Sequence, residues 1–142
     1  MSLRLLLWVA MVAGCHRGAV WPPVPVPVAL GEDACASCRM IVSDSRFGAQ
    51  LHDRRGGVRH FDDLGCWRKA VAELPPDPAA SFVRNFSDGA WIRADRAVVV
   101  RFEGLQSPMG SGLAAFATRD AAAAFVLGHA GAVALSLNEP AR

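Results

Sequence analysis

The sequence predicts an α+β protein in which two similar ββα-type units form one compact domain. Short alternating segments bounded by turn residues indicate strands, and two segments with apolar residues every three or four positions indicate helices. The same order of elements occurs twice. A chain of 142 residues can bury a hydrophobic core without disulfide bonds, because the buried fraction of the surface increases with chain length.

The first unit begins with a predicted β-hairpin. Phe47 to His52 alternates between apolar and polar positions, which is typical of a strand with one buried face. Asp53 to Gly57 supplies turn residues, and Val58 to Phe61 forms the returning strand.

A helix is predicted to follow this hairpin. Asp62 or Asp63 can cap its N-terminus, because a carboxylate accepts hydrogen bonds from the first free N–H groups of a helix. Its apolar residues, spaced three and four positions apart, are Leu64, Trp67, Val71 and Leu74. Pro75-Pro76 is expected to end it.

The second unit repeats this plan with a long glycine-rich loop inside it. Its predicted elements are strands at Ser81 to Phe86, Val98 to Phe102 and Leu113 to Phe116, a helix from about Asp120 to His129, and a last strand at Ala132 to Leu137. Phe61-Asp62-Asp63 and Phe116-Ala117-Thr118 occupy the same place before the two helices, 55 positions apart (61 against 116). This offset predicts a structural repeat.

The N-terminus predicts export and a lipid anchor. Residues 1–14 have one early charge, Arg4, and an apolar run that is too short to cross a bilayer but suits a signal peptide. Val12-Ala13-Gly14-Cys15 resembles a bacterial lipobox, so Cys15 is the predicted lipidation site. An ordinary secretory signal, in which Cys15 has no role, remains the alternative. Both place the protein outside the cytoplasm, and His16, in place of an acidic residue, leaves an outer-membrane location open.

Residues 15–33 are predicted to be a stalk that starts at the lipidated cysteine. Alternating prolines from Pro23 to Pro27 favour the polyproline II conformation, which could extend the stalk to about 60 Å. The folded domain is then expected at 34–142. The formal net charge of the chain is only +2, which predicts no attraction to nucleic acid.

Cys35, Cys38 and Met40 place two thiols and a thioether within six residues. Soft sulfur ligands on an exported protein favour Cu(I), which accepts two to four of them without strict geometry. Structural zinc usually needs a second pair of ligands, and haem attachment needs histidine where Arg39 stands. A local disulfide or idle thiols remain the alternative for this motif.

Met109 is the second candidate sulfur ligand from a different part of the chain. It lies in the loop Ser107-Pro108-Met109-Gly110-Ser111-Gly112, where a methionine has no obvious core to fill. The flanking glycines allow the backbone to approach closely whatever Met109 touches.

These motifs, taken in order, resemble the NosL lipoproteins from Ala34 to Leu137. The matching segments are Cys35-Ala36-Ser37-Cys38-Arg39-Met40, Phe61-Asp62-Asp63-Leu64-Gly65-Cys66, Trp91-Ile92-Arg93-Ala94 with Ala97, Pro108-Met109-Gly110 with Gly112, Ala115-Phe116 and Gly131. One departure is Arg39, which replaces a glycine usual in the family.

The resemblance implies a periplasm-facing, lipid-anchored Cu(I) chaperone without catalysis of its own, which serves assembly of the copper centres of nitrous-oxide reductase. Its partners would be that apo-enzyme or the proteins that assemble it, and the membrane through the anchor. It also implies a fold related to organomercurial lyase. The metal ligands carried over are Cys35, Cys38, Met40 and Met109.

Other polar residues have simpler explanations in the sequence. Cys66 lies on the helical face beside Leu64 and Trp67, which favours a buried small side chain over a ligand. His129 ends the last predicted helix, where imidazole suits the helix dipole, and it is only an outside candidate for a nitrogen ligand.

Two other functions stay open at this point. Cys35, Cys38 and Cys66 together with Asp62 could grip mercury and protonate carbon, as an organomercurial-lyase-like enzyme would require. A structural lipoprotein with a disulfide between Cys35 and Cys38 is the other alternative.

Overall fold

The computed structural model describes residues 22–73 and 80–135. The β-strands are β1 (Ala49–His52), β2 (Val58–Phe61), β3 (Ala80–Arg84), β4 (Trp91–Arg93), β5 (Val98–Arg101), β6 (Leu113–Phe116) and β7 (Val133–Leu135). The helices are α1 (Leu64–Glu73) and α2 (Arg119–Gly128), with short 3-10 turns at Ser45–Phe47 and Ala94–Arg96. The predicted α+β class is therefore confirmed.

The strands form two antiparallel sheets with related topology. The first has the order β2-β1-β3-β4 and the second the order β6-β5-β7. In each, a hairpin is followed by a helix, and the next strand pairs with the free side of the first hairpin strand. The first helical residues, Leu64 and Arg119, are 55 positions apart (64 against 119), the offset seen in the sequence.

Two details of the predicted units are corrected. The strand expected at Ser81 to Phe86 was assigned to the second unit, but β3 pairs with β1 and belongs to the first sheet. β4 was not predicted. A local pattern indicates where a strand occurs, but its partner is decided by the side of the sheet to which the chain returns after the helix. The predicted helix end at Pro75-Pro76 lies outside the described residues.

The largest apolar cluster lies between the two sheets. It joins residues of the first sheet, such as Leu51 and Val83, with Val99 and Leu113 of the second, and α1 contributes Trp67. Backbone hydrogen bonds also link the sheets, because the Phe86 N–H donates to the Ala115 carbonyl at 2.7 Å. This shared core fixes the position of α1 relative to both units.

The N-terminal segment contacts the first sheet at Val26, inside the range predicted as a stalk. The side chain of Gln50, fully buried on β1, accepts a hydrogen bond from the Val26 N–H at 3.1 Å and donates one to the Val26 carbonyl at 2.7 Å. Buried His52 contacts the same amide oxygen at 3.1 Å. The side-chain amide of Gln50 therefore satisfies the backbone N–H and carbonyl of Val26, as the backbone of a neighbouring strand would.

The predicted signal peptide, residues 1–14, and the predicted lipidation site, Cys15, lie outside the described residues. Within the described part of the chain, neither helix has the length and apolar character required to cross a bilayer.

Replacing Gln50 tests the attachment of Val26. We expect Gln50→Ala to lower the free energy of unfolding by at least about 2 kcal/mol, because the two hydrogen bonds to Val26, worth about 1 kcal/mol each, are lost together with the contact to buried His52. Urea denaturation of the purified protein measures this change. Gln106→Ala, at an exposed glutamine, is the matched control and should change stability by less than about 0.5 kcal/mol. Equal effects of the two substitutions would contradict the role of Gln50.

Candidate metal centre

Cys35 to Met40 form a tight turn that directs Cys35 into the protein. The Cys35 N–H donates to the Met40 carbonyl at 2.8 Å, and the Arg39 N–H donates to the Cys35 carbonyl at 3.0 Å. A single antiparallel bridge between Ala34 and Ile41 closes the base of the turn. As a result Cys35 is fully buried and Cys38 is half-buried.

Arg39 adopts a left-handed backbone conformation in this turn, with φ 67°. Glycine adopts this conformation freely, whereas any other L-residue pays about 1 to 2 kcal/mol. The position is the one where the sequence departs from the glycine usual in the resembling family. The turn closes with arginine in place, so the departure does not open it.

The turn is attached to the strand that leads into α1. The Ala36 N–H donates to the carbonyl of His60 on β2 at 2.8 Å. Two residues later the chain reaches Asp62, and Cys66 is the third residue of α1. β2 and α1 therefore deliver two more polar side chains to the same place.

Four side chains converge there, namely Cys35, Cys38, Asp62 and Cys66. One ligand atom from each lies within 4.8 Å of all the others, which makes the group capable of holding a metal ion. All three cysteines are free thiols.

The surroundings keep the buried thiols protonated. Burial raises the pKa of Cys35, and a hydrogen bond with Asp62 adds to the effect. Burial also raises the pKa of Cys66, followed by the charge of the neighbouring Cys35. The Cys38 Sγ lies 3.6 and 3.8 Å from the two oxygens of Asp62 and donates to that carboxylate. A metal ion binding here must displace thiol protons, since thiolates are the ligands.

The adjacent carboxylates Asp62 and Asp63 have different roles. Both were predicted as possible helix caps. Asp63 supplies the cap, because its Oδ1 accepts from the Gly65 N–H at 2.6 Å. Asp62 instead belongs to the thiol cluster. The capping explanation was therefore right for Asp63 and incomplete for Asp62.

The loop of Met109 reaches the same junction. The backbone N–H of Met109 donates a hydrogen bond to Asp63 Oδ2 at 3.1 Å, and the two residues are 46 positions apart in the sequence. Met40 follows the thiol turn directly. Both methionine side chains are exposed, Met40 at 59% and Met109 at 47% of their surface. Their roles as metal ligands remain predictions.

The predicted copper ligands did not include Cys66 or Asp62, although the sequence grouped both with Cys35 and Cys38 for the enzyme alternative, and the structure brings these four together. Cys66 is buried beside Leu64 and Trp67 as expected, yet its thiol also faces the other two. The available signal was the short separation of Asp62 and Cys66, which places both at the start of α1, close to the end of β2 that the thiol turn contacts.

The outside candidate His129 lies in the other unit. Its ring stacks on Phe125 with centroids 4.0 Å apart, and its Nδ1 lies 2.8 Å from the Phe125 carbonyl. His129 is not a member of the four-residue group.

A family model described as NosL matches residues 26–139. The chain belongs to the NosL family. This confirms the resemblance read from the sequence, and the match includes Val26, which the fold attaches to β1. No curated protein matches this NosL-family chain.

A solved structure of a NosL protein shares the fold. The crystal structure of the copper chaperone NosL from Shewanella denitrificans gives a TM-score of 0.69 at 19% sequence identity, covering 83% of this chain and 97% of that chain. Its similarity extends over both units and supports the α+β architecture described above.

The three thiols should differ in reactivity. We expect iodoacetamide at pH 7 to label half-buried Cys38 first, because Cys35 and Cys66 are buried and their raised pKa values leave little thiolate. Labelling of the latter two should increase only above the ordinary thiol pKa of 9.0. Peptide mass spectrometry measures the rates, with the urea-unfolded protein as control. Equal rates for all three in the folded protein at pH 7 would contradict this electrostatic description.

Proposed function

We propose that this chain is an extracytoplasmic lipoprotein that carries Cu(I) and delivers it for assembly of the copper centres of nitrous-oxide reductase. The observation that carries the proposal is the convergence of three thiols from the turn and from α1 within 4.8 Å, beside the loop of Met109. The Shewanella relative of the same fold is described as a copper chaperone, which agrees with it.

The composition of the group favours a soft monovalent ion. Thiolate sulfur binds Cu(I) strongly, and two to four such ligands satisfy it. Met40 and Met109 add thioethers, which stay neutral and do not form disulfides in an oxidising compartment. We assign Cys35, Cys38, Met40 and Met109 as ligands, as the sequence predicts, and Cys66, from its position in the group, as a thiolate that can replace one of them.

The graded burial of these sulfur atoms suits transfer. Cys35 and Cys66 are buried, Cys38 is half-buried, and Met40 and Met109 face solvent. An acceptor ligand can therefore approach the ion from the methionine side while the buried thiolates still hold it. Exchange through such a shared state needs no free ion, so tight binding and fast delivery are compatible.

The proposed location of the protein and its proposed copper-receiving partner are inferred from the sequence. Residues 1–14 and Cys15 support export and lipidation through the signal-peptide and lipobox patterns. Nitrous-oxide reductase, or the proteins that assemble it, is proposed as the copper-receiving partner because the resemblance to the NosL lipoproteins implies it.

Copper binding can be tested by anaerobic titration. We expect the reduced protein to bind Cu(I) in competition with a chromophoric chelator. Cys38→Ser combined with Met109→Leu should lower the affinity at least about 100-fold, since even second-shell changes at metal sites cost 10- to 100-fold. Ser37→Ala, at an exposed residue of the same turn, is the control and should bind as the wild type does. A double variant with wild-type affinity would refute the ligand assignment.

Zinc provides the necessary comparison, because three thiolates and a carboxylate also satisfy tetrahedral Zn²⁺. The copper proposal predicts that Cu(I) displaces Zn²⁺ from the protein when both free ions are buffered to equal concentrations. Retention of Zn²⁺ under those conditions would make copper the wrong cargo.

The position of Asp62 favours a second candidate function. A buried carboxyl group beside three thiols has the parts needed to break a carbon–mercury bond, since the thiolates hold mercury and the carboxylic acid protonates the carbon. This is the organomercurial-lyase-like alternative that the sequence left open.

Hydrocarbon release separates the two functions. A carrier should bind phenylmercury through its thiols and release no benzene above the rate given by Asp62→Asn. Gas chromatography of the headspace measures benzene directly. Catalytic release by the reduced wild type, abolished in Asp62→Asn, would establish the enzyme and overturn the carrier as the sole function.

A further inference from the structure

Asp63 joins the helix that carries Cys66 to the loop that carries Met109. The side chain is fully buried, and each oxygen accepts a different backbone N–H, from Gly65 at 2.6 Å and from Met109 at 3.1 Å. Hydrogen bonds to an ionised, buried acceptor are stronger than neutral ones. One carboxylate therefore spans the two segments.

Hydrogen bonds within the Met109 loop, from Ser107 to Gly112, connect its residues to one another. A contact that fixes one of these residues therefore restricts the whole loop. The Gly110 N–H donates to the Ser107 carbonyl at 2.9 Å, and the Gly112 N–H donates to the Ser107 hydroxyl at 3.2 Å. The Ser107 and Ser111 hydroxyls lie 3.3 Å apart. Met109 stands at the tip of this small structure.

Gly65 on α1 allows the Met109 loop to approach the helix closely. A Cβ atom added at Gly65 would lie 2.8 Å from the Cβ of Ser111, which is nearer than two carbon atoms can pack. The absence of a side chain at Gly65 is therefore a condition for the present position of the loop. The hydrogen bond and the packing contact act on the loop from the same end of α1.

We propose that Asp63 is a positioning residue that fixes the Met109 thioether beside the thiol cluster and so sets the number of sulfur ligands available to the ion. This inference rests on the proposed function, because it concerns the ligands of the same ion. Asp62, the preceding residue, contacts Cys38. Asp62 therefore contacts the thiol turn, and Asp63 contacts both α1 and the Met109 loop.

A carboxylate is required here because both accepted hydrogen bonds come from N–H groups. An asparagine has one oxygen and one NH₂ group, and the NH₂ group would face one of the two donors. Asp63→Asn keeps the size of the side chain, but in either orientation its NH₂ group faces an N–H donor, so the side chain can no longer hold α1 and the loop together. It is therefore the variant that isolates the effect.

The expected result is a coupled loss. Asp63→Asn should lower Cu(I) affinity about tenfold, as loss of a second-shell partner does, and X-ray absorption should count one fewer sulfur. Met109→Leu should have the same effect. The double variant should bind no more weakly than either single variant, because both remove the same ligand.

Thr118→Ala is the matched control. Thr118 occupies the equivalent position before α2, and its Oγ1 accepts from the Ala121 N–H at 3.2 Å. The substitution removes a helix cap without touching the Met109 loop, so it should lower the melting temperature and leave Cu(I) affinity and sulfur count unchanged. A merely structural role of Asp63 would give the same result as this control.

Gly65→Ala provides a second route if Asp63→Asn does not fold. Alanine favours the helix, and its methyl group would lie 2.8 Å from Ser111 Cβ and 3.0 Å from Asp63 Oδ1, so it would displace the loop and strain its attachment to Asp63. It should also remove one sulfur from the count and show no further loss with Met109→Leu.

Four outcomes would overturn the inference. These are wild-type affinity in a folded Asp63→Asn variant, additive losses in the double variant, an unchanged sulfur count, or a loss in Thr118→Ala equal to that in Asp63→Asn. If the wild type binds no Cu(I), the proposed function fails instead. Hydrogen exchange at the Met109 amide of the metal-free protein then decides whether Asp63 holds the loop, since Asp63→Asn must accelerate it.

Discussion

Two consecutive buried carboxylates, Asp62 and Asp63, impose the central constraint on this structure. A buried charge is tolerated only where donors surround it. At the junction between β2 and α1 the two side chains face different partners, a thiol on one side and two backbone N–H groups on the other. Satisfying both carboxylates requires the thiol turn and the loop of the second unit to come to one place.

The shared core explains how this junction is held. α1 packs against residues of both sheets, and the cluster between them includes Cys35 and Cys66 as apolar neighbours. These two thiols therefore support packing as well as belonging to the candidate metal group. Their raised pKa values follow from the same burial. The raised pKa values favour the uncharged thiol form of Cys35 and Cys66, which limits the cost of burying these two sulfur atoms together.

Much of the fold could be predicted from the sequence because helices and hairpins have local patterns. The apolar spacing predicts α1, and the 55-position offset predicts the repeat. β4 has only three residues and none of them is fully buried, so alternation gave no signal there. The strand with which β3 pairs depends on the side of the sheet to which the chain returns after α1. The local sequence pattern does not predict this side.

The candidate site was predictable only in part. Cys35 and Cys38 are recognisable by spacing, and Met109 by the absence of a core for it to fill. Cys66 satisfies the helical apolar pattern, so its packing role concealed the direction of its thiol. The hydrogen bond from Met109 to Asp63 joins residues 46 positions apart. Long-range contacts of this kind arise from the packing of the two units and leave no trace in either segment alone.

The bond between Val26 and Gln50 has a mechanical consequence for the protein. Gln50 lies on β1, an interior strand paired on both sides. A force applied to the chain upstream of Val26 enters the sheet at that strand, nine positions before Cys35. A pull transmitted through the residues before Val26 therefore acts on β1 before it reaches the cysteine turn.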